Sequence, residues 1–140
     1  MYLIDTNVLS EFRKLLAGRA DVQFTRWFET ILAEQLYVSV MSLFEIENGI
    51  LRLQRYDAEQ AATLRTWFEQ AKAELDGRII AVDMEIALRC AVLHVPDPRP
   101  QRDPFIGATA LVRGLTLLTR NVRDFQGMGV KIINPWDPAA

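Results

Sequence analysis

The side chains with the clearest chemical potential are acids set far apart in the chain. Asp5 ends the apolar opening "MYLIDTN", Glu45 sits in "SLFEIENG", Asp103 begins "DPFIGATA" and Asp124 closes "TRNVRD". An aspartate at the end of a buried strand is costly unless something nearby stabilises its charge. Carboxylates gathered in one place repel one another, and burial adds to the cost, so without compensation some would hold protons. A divalent cation removes that conflict. Oxygen donors with no histidine or cysteine beside them favour a hard ion, Mg²⁺ or Mn²⁺, over Zn²⁺. Thr6, Asn7, Thr119 and Asn121 stand next to these acids and are of the types that hydrogen-bond carboxylates, bound water or phosphate.

For the acids to meet, the chain between them must return repeatedly to one edge. Short β-like runs supply that return: "YLID", "LYVSV", "RIIAV", "LTLLT" and "KII" are compact and apolar, as strands buried on both faces should be. Helical patterns separate them. "VLSEFRKLL" follows the first strand, and "VQFTRWFETILAEQ" places Phe24, Trp27, Phe28, Ile31 and Leu32 on one stripe. "MSLFEIENGILRLQRY" follows the second strand. "DAEQAATLRTWFEQAKAELDG" carries an apolar face of Leu64, Trp67, Phe68, Ala71 and Leu75 and stops at Gly77. "DMEIALRCAVLH" and "DPFIGATALVRG" precede the fourth strand. This alternation predicts an α/β fold with a largely parallel sheet.

Ligands of open parallel sheets bind beyond the carboxyl ends of the strands, where the strand order reverses. Asp5 closes the first strand there, Glu45 lies early in the helix after the second, and Asp124 follows the fourth. Asp103 begins the helix that returns to the start of strand four, and with Pro104 after it reads as an N-cap followed by the first helical position. All four acids are thereby expected on one rim.

Composition bounds the rest. A chain of 140 residues suits a single domain over 1–140, and an apolar fraction of 50% with 24% charged residues argues against disorder. A net charge of -2 excludes a basic coat, so a nucleic-acid partner would have to be held by local arginines or bound cations. One cysteine, Cys90, excludes an internal disulfide framework and a Cys-rich zinc cluster. The start lacks the pattern of a signal peptide and no apolar run is long enough to cross a bilayer, so a cytoplasmic protein without a membrane is expected. His94 is the only histidine, which rules out a paired-histidine ribonuclease mechanism within one chain. It reads as a helix-end residue, and Cys90 as core.

Taken together, "LIDTNVLSE", "SVMSLFEIENG", "RDPFIGATAL" and "LLTRNVRDFQGMGVKIINP" resemble the acidic signatures of PIN-domain ribonucleases, and most of all the VapC-type toxins of type II toxin–antitoxin pairs, including the FitB-like branch. The resemblance covers nearly the whole chain. It implies a PIN-like three-layer sandwich, a central mostly parallel five-stranded sheet with helices on both faces. It also implies a Mg²⁺-dependent endoribonuclease in which Asp5, Glu45, Asp103 and Asp124 are metal-binding and catalytic, with Asp5 and Asp103 the usual direct ligands. Thr119 and Asn121 match the polar pair supporting the fourth acid. Expected partners are an RNA substrate, a VapB-type antitoxin near the acidic cleft, held in an apolar groove of the second to fourth helices, and a second copy in a homodimer. Gly107 departs from the alanine usual there, and Glu47 points away from Glu45 on the helix, leaving Glu45 alone assigned.

Arg99, Arg102, Arg120 and Arg123 lie near the third and fourth acids; Arg120 and Arg123 rank highest as RNA phosphate contacts because they adjoin Asp124. Trp27, Phe28, Trp67 and Phe68 fit the core better than a base-stacking surface. Two other readings compete. A haloacid-dehalogenase-like phosphohydrolase also opens on an apolar strand ending in aspartate, but wants a second aspartate where Asn7 stands. A non-catalytic binding module would be expected to have lost one or more of the acids.

Overall fold

The computed structural model describes residues 1–100 and 102–140. Its strands are β1 (Tyr2–Ile4), β2 (Leu36–Ser39), β3 (Ile79–Ile80), β4 (Thr116–Leu118) and β5 (Ile132–Ile133), in the sheet order β3-β2-β1-β4-β5. Every neighbouring pair is parallel. The helices are α1 (Thr6–Leu16), α2 (Val22–Phe28), α3 (Val40–Gln54), α4 (Ala58–Glu74), α5 (Met84–Leu93) and α6 (Asp103–Arg113). From β1 the chain steps outward to β2 and β3, then returns across the sheet to β4 on the other side of β1. The order therefore reverses between β1 and β4, which is where the first acid emerges.

The two-residue period of the strands divides the core. Ile4, Val38 and Leu118 share one register row and pack with Val8, Leu9, Phe24, Ile46, Ile50 and Phe68. Leu3 and Leu117 face the opposite way, toward Ile86, Cys90, Ile106 and Phe125. Helices α1 to α4 thus cover one face and α5 and α6 the other. Cys90 is core, and burial pushes its thiol pKa up. The expected aromatic core is present: Phe24, Trp27, Phe28, Trp67 and Phe68 pack together with Leu64, Ala71 and Leu75 of the α4 stripe.

Two helical expectations change. The helix read through Gln35 stops at Phe28, because the Thr30 hydroxyl and N–H both turn back to Trp27 O and the chain passes into a short 3-10 turn at Ala33–Gln35. Ile31 still packs on the core, whereas Leu32 is 67% exposed and leaves the stripe. On α6, Asp103 is the first helical residue rather than the cap; Arg102 holds the N-cap position and no side chain caps the helix. The Asp103 carboxylate is therefore uncommitted to the helix end.

Gly107 has a packing reason. A Cβ there would come within 2.6 Å of Met128 Sδ and 3.7 Å of Leu93 Cδ1, so the bare backbone lets buried Met128 seat against α6. Alanine would gain about 1 kcal/mol of helix propensity, yet crowding a packed site costs about 1–3 kcal/mol. Gly107→Ala is expected to lower the melting temperature in the wild-type background and to raise it in a Met128→Ala background, a reversal read by thermal unfolding of the four proteins.

Candidate functional site

Asp5 is the first residue beyond β1, and its N–H donates to Leu118 O at 2.9 Å, so β4 holds it at the switch point. It is also the N-cap of α1: one carboxylate oxygen accepts the Thr6 N–H at 2.7 Å. The other accepts the Thr119 hydroxyl at 2.7 Å and Asn7 Nδ2 at 3.4 Å. Capping and site building coexist in one acid, only 5% exposed. Burial pushes its pKa up; the Thr119 and Thr6 hydrogen bonds pull it down, and the Asp124 charge pushes it up again.

Glu45 reaches the same rim from α3, whose start is capped by Ser39 accepting the Met41 N–H at 3.0 Å. Its pKa is raised, first by burial and then by Asp5, against lowering contributions from Thr6 and Arg102. The Thr6 hydroxyl favours the ionised Glu45 carboxyl without closing a well-formed hydrogen bond to it. Glu47 is elsewhere: Arg65 of α4 binds both its oxygens, with Nη1 at 2.6 Å from Oε1. That pair pulls the Glu47 pKa down and leaves Glu45 as the α3 acid facing Asp5.

Asp103 feels all the others. Burial and the charges of Asp5, Asp124 and Glu45, opposed only by Arg102, push its pKa up to about 6. Asp124 is exposed on a 3-10 turn, Val122–Phe125, anchored by buried Phe125. Among the described residues, none of the four acids forms an ion pair with lysine, arginine or histidine. Nor, among those residues, do three acidic, histidine or cysteine side chains close into a ready-made cage. The carboxylates lie near enough to shift one another's protonation.

The polar neighbours divide their work. Thr119 serves Asp5 rather than Asp124, and its oxygen also accepts the Asn121 N–H at 3.0 Å and Asn7 Nδ2 at 3.4 Å. Asn121 reaches the fourth acid through its backbone, accepting the Asp124 N–H at 3.1 Å. Asn7 Oδ1 accepts the Arg120 N–H at 3.3 Å, tying the residue after Thr119 to the same cluster. The donor set suits a hard divalent ion: only oxygens, crowded negative charge, and hydrogen bonds that orient the most buried carboxylate.

The arginines differ among themselves. Arg99 is structural, donating to Leu93 O and Gln126 O while its N–H goes to His94 Nδ1. His94, at the end of α5, thereby holds a loop and stays apart from the acids. Arg120 lies over the Trp136 ring and Arg102 over that of Phe44, whereas Arg123 is exposed. The two rings were not singled out from sequence. Phe44 carried a signal, for it falls off the Leu43, Ile46, Ile50 stripe that faces the core. An apolar furrow runs between α1 and α4, lined by Leu9, Phe12, Leu15, Leu16, Trp67 and Leu75, and continues against α2 at Phe28.

The PIN domain family model matches residues 2–130. A VapC ribonuclease of Sinorhizobium fredii, Y4jK, is 30% identical over 99% of this chain and 100% of its own length. Toxin FitB of Neisseria gonorrhoeae is 28% identical over 97% of this chain and 99% of its own. The crystal structure of FitAcB from Neisseria gonorrhoeae matches with a TM-score of 0.84 at 27% identity, covering 97% of this chain and 99% of that one. A rim of acids at the switch point of an all-parallel sheet, a family match along nearly the whole chain and a shared fold agree: the chain belongs to the PIN domain family, among its VapC and FitB members.

Proposed function

We propose that the protein is a divalent-metal-dependent endoribonuclease and the toxin of a type II toxin–antitoxin pair. The observation that carries the chemistry is that Asp5, Glu45 and Asp103 all have raised pKa values, first from burial and then from the charge of neighbouring acids (Asp124 for Asp5, Asp5 for Glu45, all three others for Asp103), with no cation paired to them among the described residues. Asp5 and Asp103 would hold Mg²⁺, with Mn²⁺ as substitute, and Asp124 and Glu45 would complete the set directly or through water. Such an ion, when bound, supplies charge neutralisation at phosphate and a water of lowered pKa. Thr119 and Thr6 fix the Asp5 carboxylate, and Glu45, half-buried with a raised pKa, is suited to accept a proton from the attacking water. Arg120 and Arg123 would meet RNA phosphates at the rim.

Support for the biological role comes from relatives. One similar structure is FitAB bound to a DNA fragment, and another is a toxin–antitoxin complex from Klebsiella pneumoniae. An antitoxin of the VapB or FitA kind would lay an apolar helix into the furrow between α1 and α4. A homodimer that places two acidic clefts together is part of the same reading.

Cleavage of labelled single-stranded RNA tests the chemistry: it is expected with Mg²⁺ and absent with EDTA. Cleavage unchanged by EDTA would exclude the metal, and turnover of small phosphomonoesters without RNA cleavage would favour the phosphohydrolase alternative. Thr119→Val keeps the shape but removes the donor to Asp5. It is expected to cost about 1–2 kcal/mol in unfolding and to weaken Mg²⁺ binding about 10- to 100-fold, read by urea denaturation and by metal titration.

A further inference from the structure

Two guanidinium groups flank the acidic rim, and each lies on an aromatic ring. Arg120 Cζ stands 5.4 Å from the Trp136 ring centroid, and Arg102 Cζ 5.3 Å from that of Phe44. The topology puts these pairs on opposite sides of Asp5. Phe44 follows β2, Asp5 follows β1, Arg120 follows β4 and Trp136 follows β5, in a sheet ordered β3-β2-β1-β4-β5. At about 4.8 Å between neighbouring strands, the ends of β2 and β4 stand about 10 Å apart. Arg102 directly precedes Asp103, and its charge is felt by Asp103 and Glu45.

The Arg120 pair is held from behind, whereas Phe44 is 54% exposed. Trp136 packs on fully buried Phe24, ring centroids 4.8 Å apart, and the Arg120 backbone is tied to Asn7, which also reaches Asp5. A cation–π contact engages one part of a guanidinium and leaves others of its five N–H donors open to an anion. Among the described residues neither arginine pairs with a carboxylate. A guanidinium resting on a ring has already given up rotamer freedom, so bidentate capture of a phosphate loses less entropy. In a chain of net charge -2, a polyanion drawn toward carboxylates needs such fixed local cations.

We infer that Arg120 on Trp136 and Arg102 on Phe44 are two phosphate clamps that hold one RNA strand across the acids, one on each side of the reacting phosphate. Trp136 and Phe44 are positioning residues that fix the donors. A flexible single strand can bring successive phosphates to two cations set in place, which a stiff duplex cannot do as freely. The inference rests on the nuclease reading for its substrate, but it can fail separately.

The test is fluorescence anisotropy of a labelled oligouridine in EDTA, where no metal-dependent cleavage intrudes, repeated over a salt series. Arg120→Gln and Arg102→Gln are each expected to weaken binding about tenfold. Each should also flatten the slope of log affinity against log salt by about 0.7, and the double variant by about 1.4. Arg55→Gln, at the far end of α3, removes the same charge and should change neither. Trp136→Phe and Phe44→Leu keep the charges, so they should weaken binding several-fold with the slope retained, a split that a purely structural role would not give. A wild-type slope in the double arginine variant would overturn the clamps even with Mg²⁺-dependent cleavage intact. Polyglutamate binding as tightly as the RNA, and losing as much in that variant, would assign the guanidiniums to an acidic protein partner and overturn them too. Flattened slopes in a protein that never cleaves RNA would support the clamps and count against the nuclease.

Discussion

Asp5→Asn is expected to reduce Mg²⁺-dependent RNA cleavage on the order of 10³-fold and, in the same protein, to raise the melting temperature without metal. Asparagine caps a helix as well as aspartate does, so its Oδ1 can still accept the Thr6 N–H, and its amide can donate toward Thr119. The cap is retained while a buried charge is removed. That charge is unfavourable in the folded state, because burial and Asp124 push the Asp5 pKa up against the two hydrogen bonds that lower it. Loss of activity with gain of stability is the signature of a group kept for function at a cost to the fold. Were Asp5 only a cap, both quantities would stay near wild type. Parallel cleavage assays and thermal melts distinguish the two.

The second large effect is on pH dependence. The Asp103 carboxyl is raised from 3.8 to about 6 in the folded protein. The folded state therefore holds its proton more tightly than the unfolded chain does, and the contribution of Asp103 to stability falls as pH rises from about 4 through about 6. Above that window its ionisation opposes folding unless a cation compensates. Mg²⁺ requires the ionised form, so it should raise the melting temperature clearly at pH 8 and hardly at all at pH 5. In Asp103→Asn the pH-dependent loss should shrink and the Mg²⁺ effect should largely disappear. Differential scanning calorimetry of both proteins, with and without Mg²⁺ at the two pH values, reads each of these differences. An equal Mg²⁺ effect at both pH values would detach the ion from Asp103.

Much of this arrangement was legible from residue order. The apolar runs marked five strands because residues buried on both faces need no polar alternation, and Gly114 at φ 65° caps α6 where expected, whereas α4 already ends at Glu74 with Leu75 as its cap, ahead of the stop expected at Gly77. The rim position of each acid followed from topology alone. What escaped was set by contacts that local pattern does not encode. The end of α2 depends on Thr30 turning back to Trp27 O, and the role of Thr119 depends on the lateral pairing of β1 with β4, which brings residues 5 and 119 together. Trp136 joins the rim only because β5 lies beside β4 and delivers the last residues against Phe24. The cap expected at Asp103 shifted by one residue, since a helix end is defined by backbone torsion at Arg102 and sequence types there allow either.

Calorimetric titration of Mg²⁺ and of Mn²⁺ into the protein at pH 8 goes most directly to the premise that these carboxylates endure one another's company for the sake of an ion. Saturable heat is expected with both ions in the unaltered chain and should be absent in Asp5→Asn and Asp103→Asn. A folded, unaltered chain that takes up neither ion would contradict it.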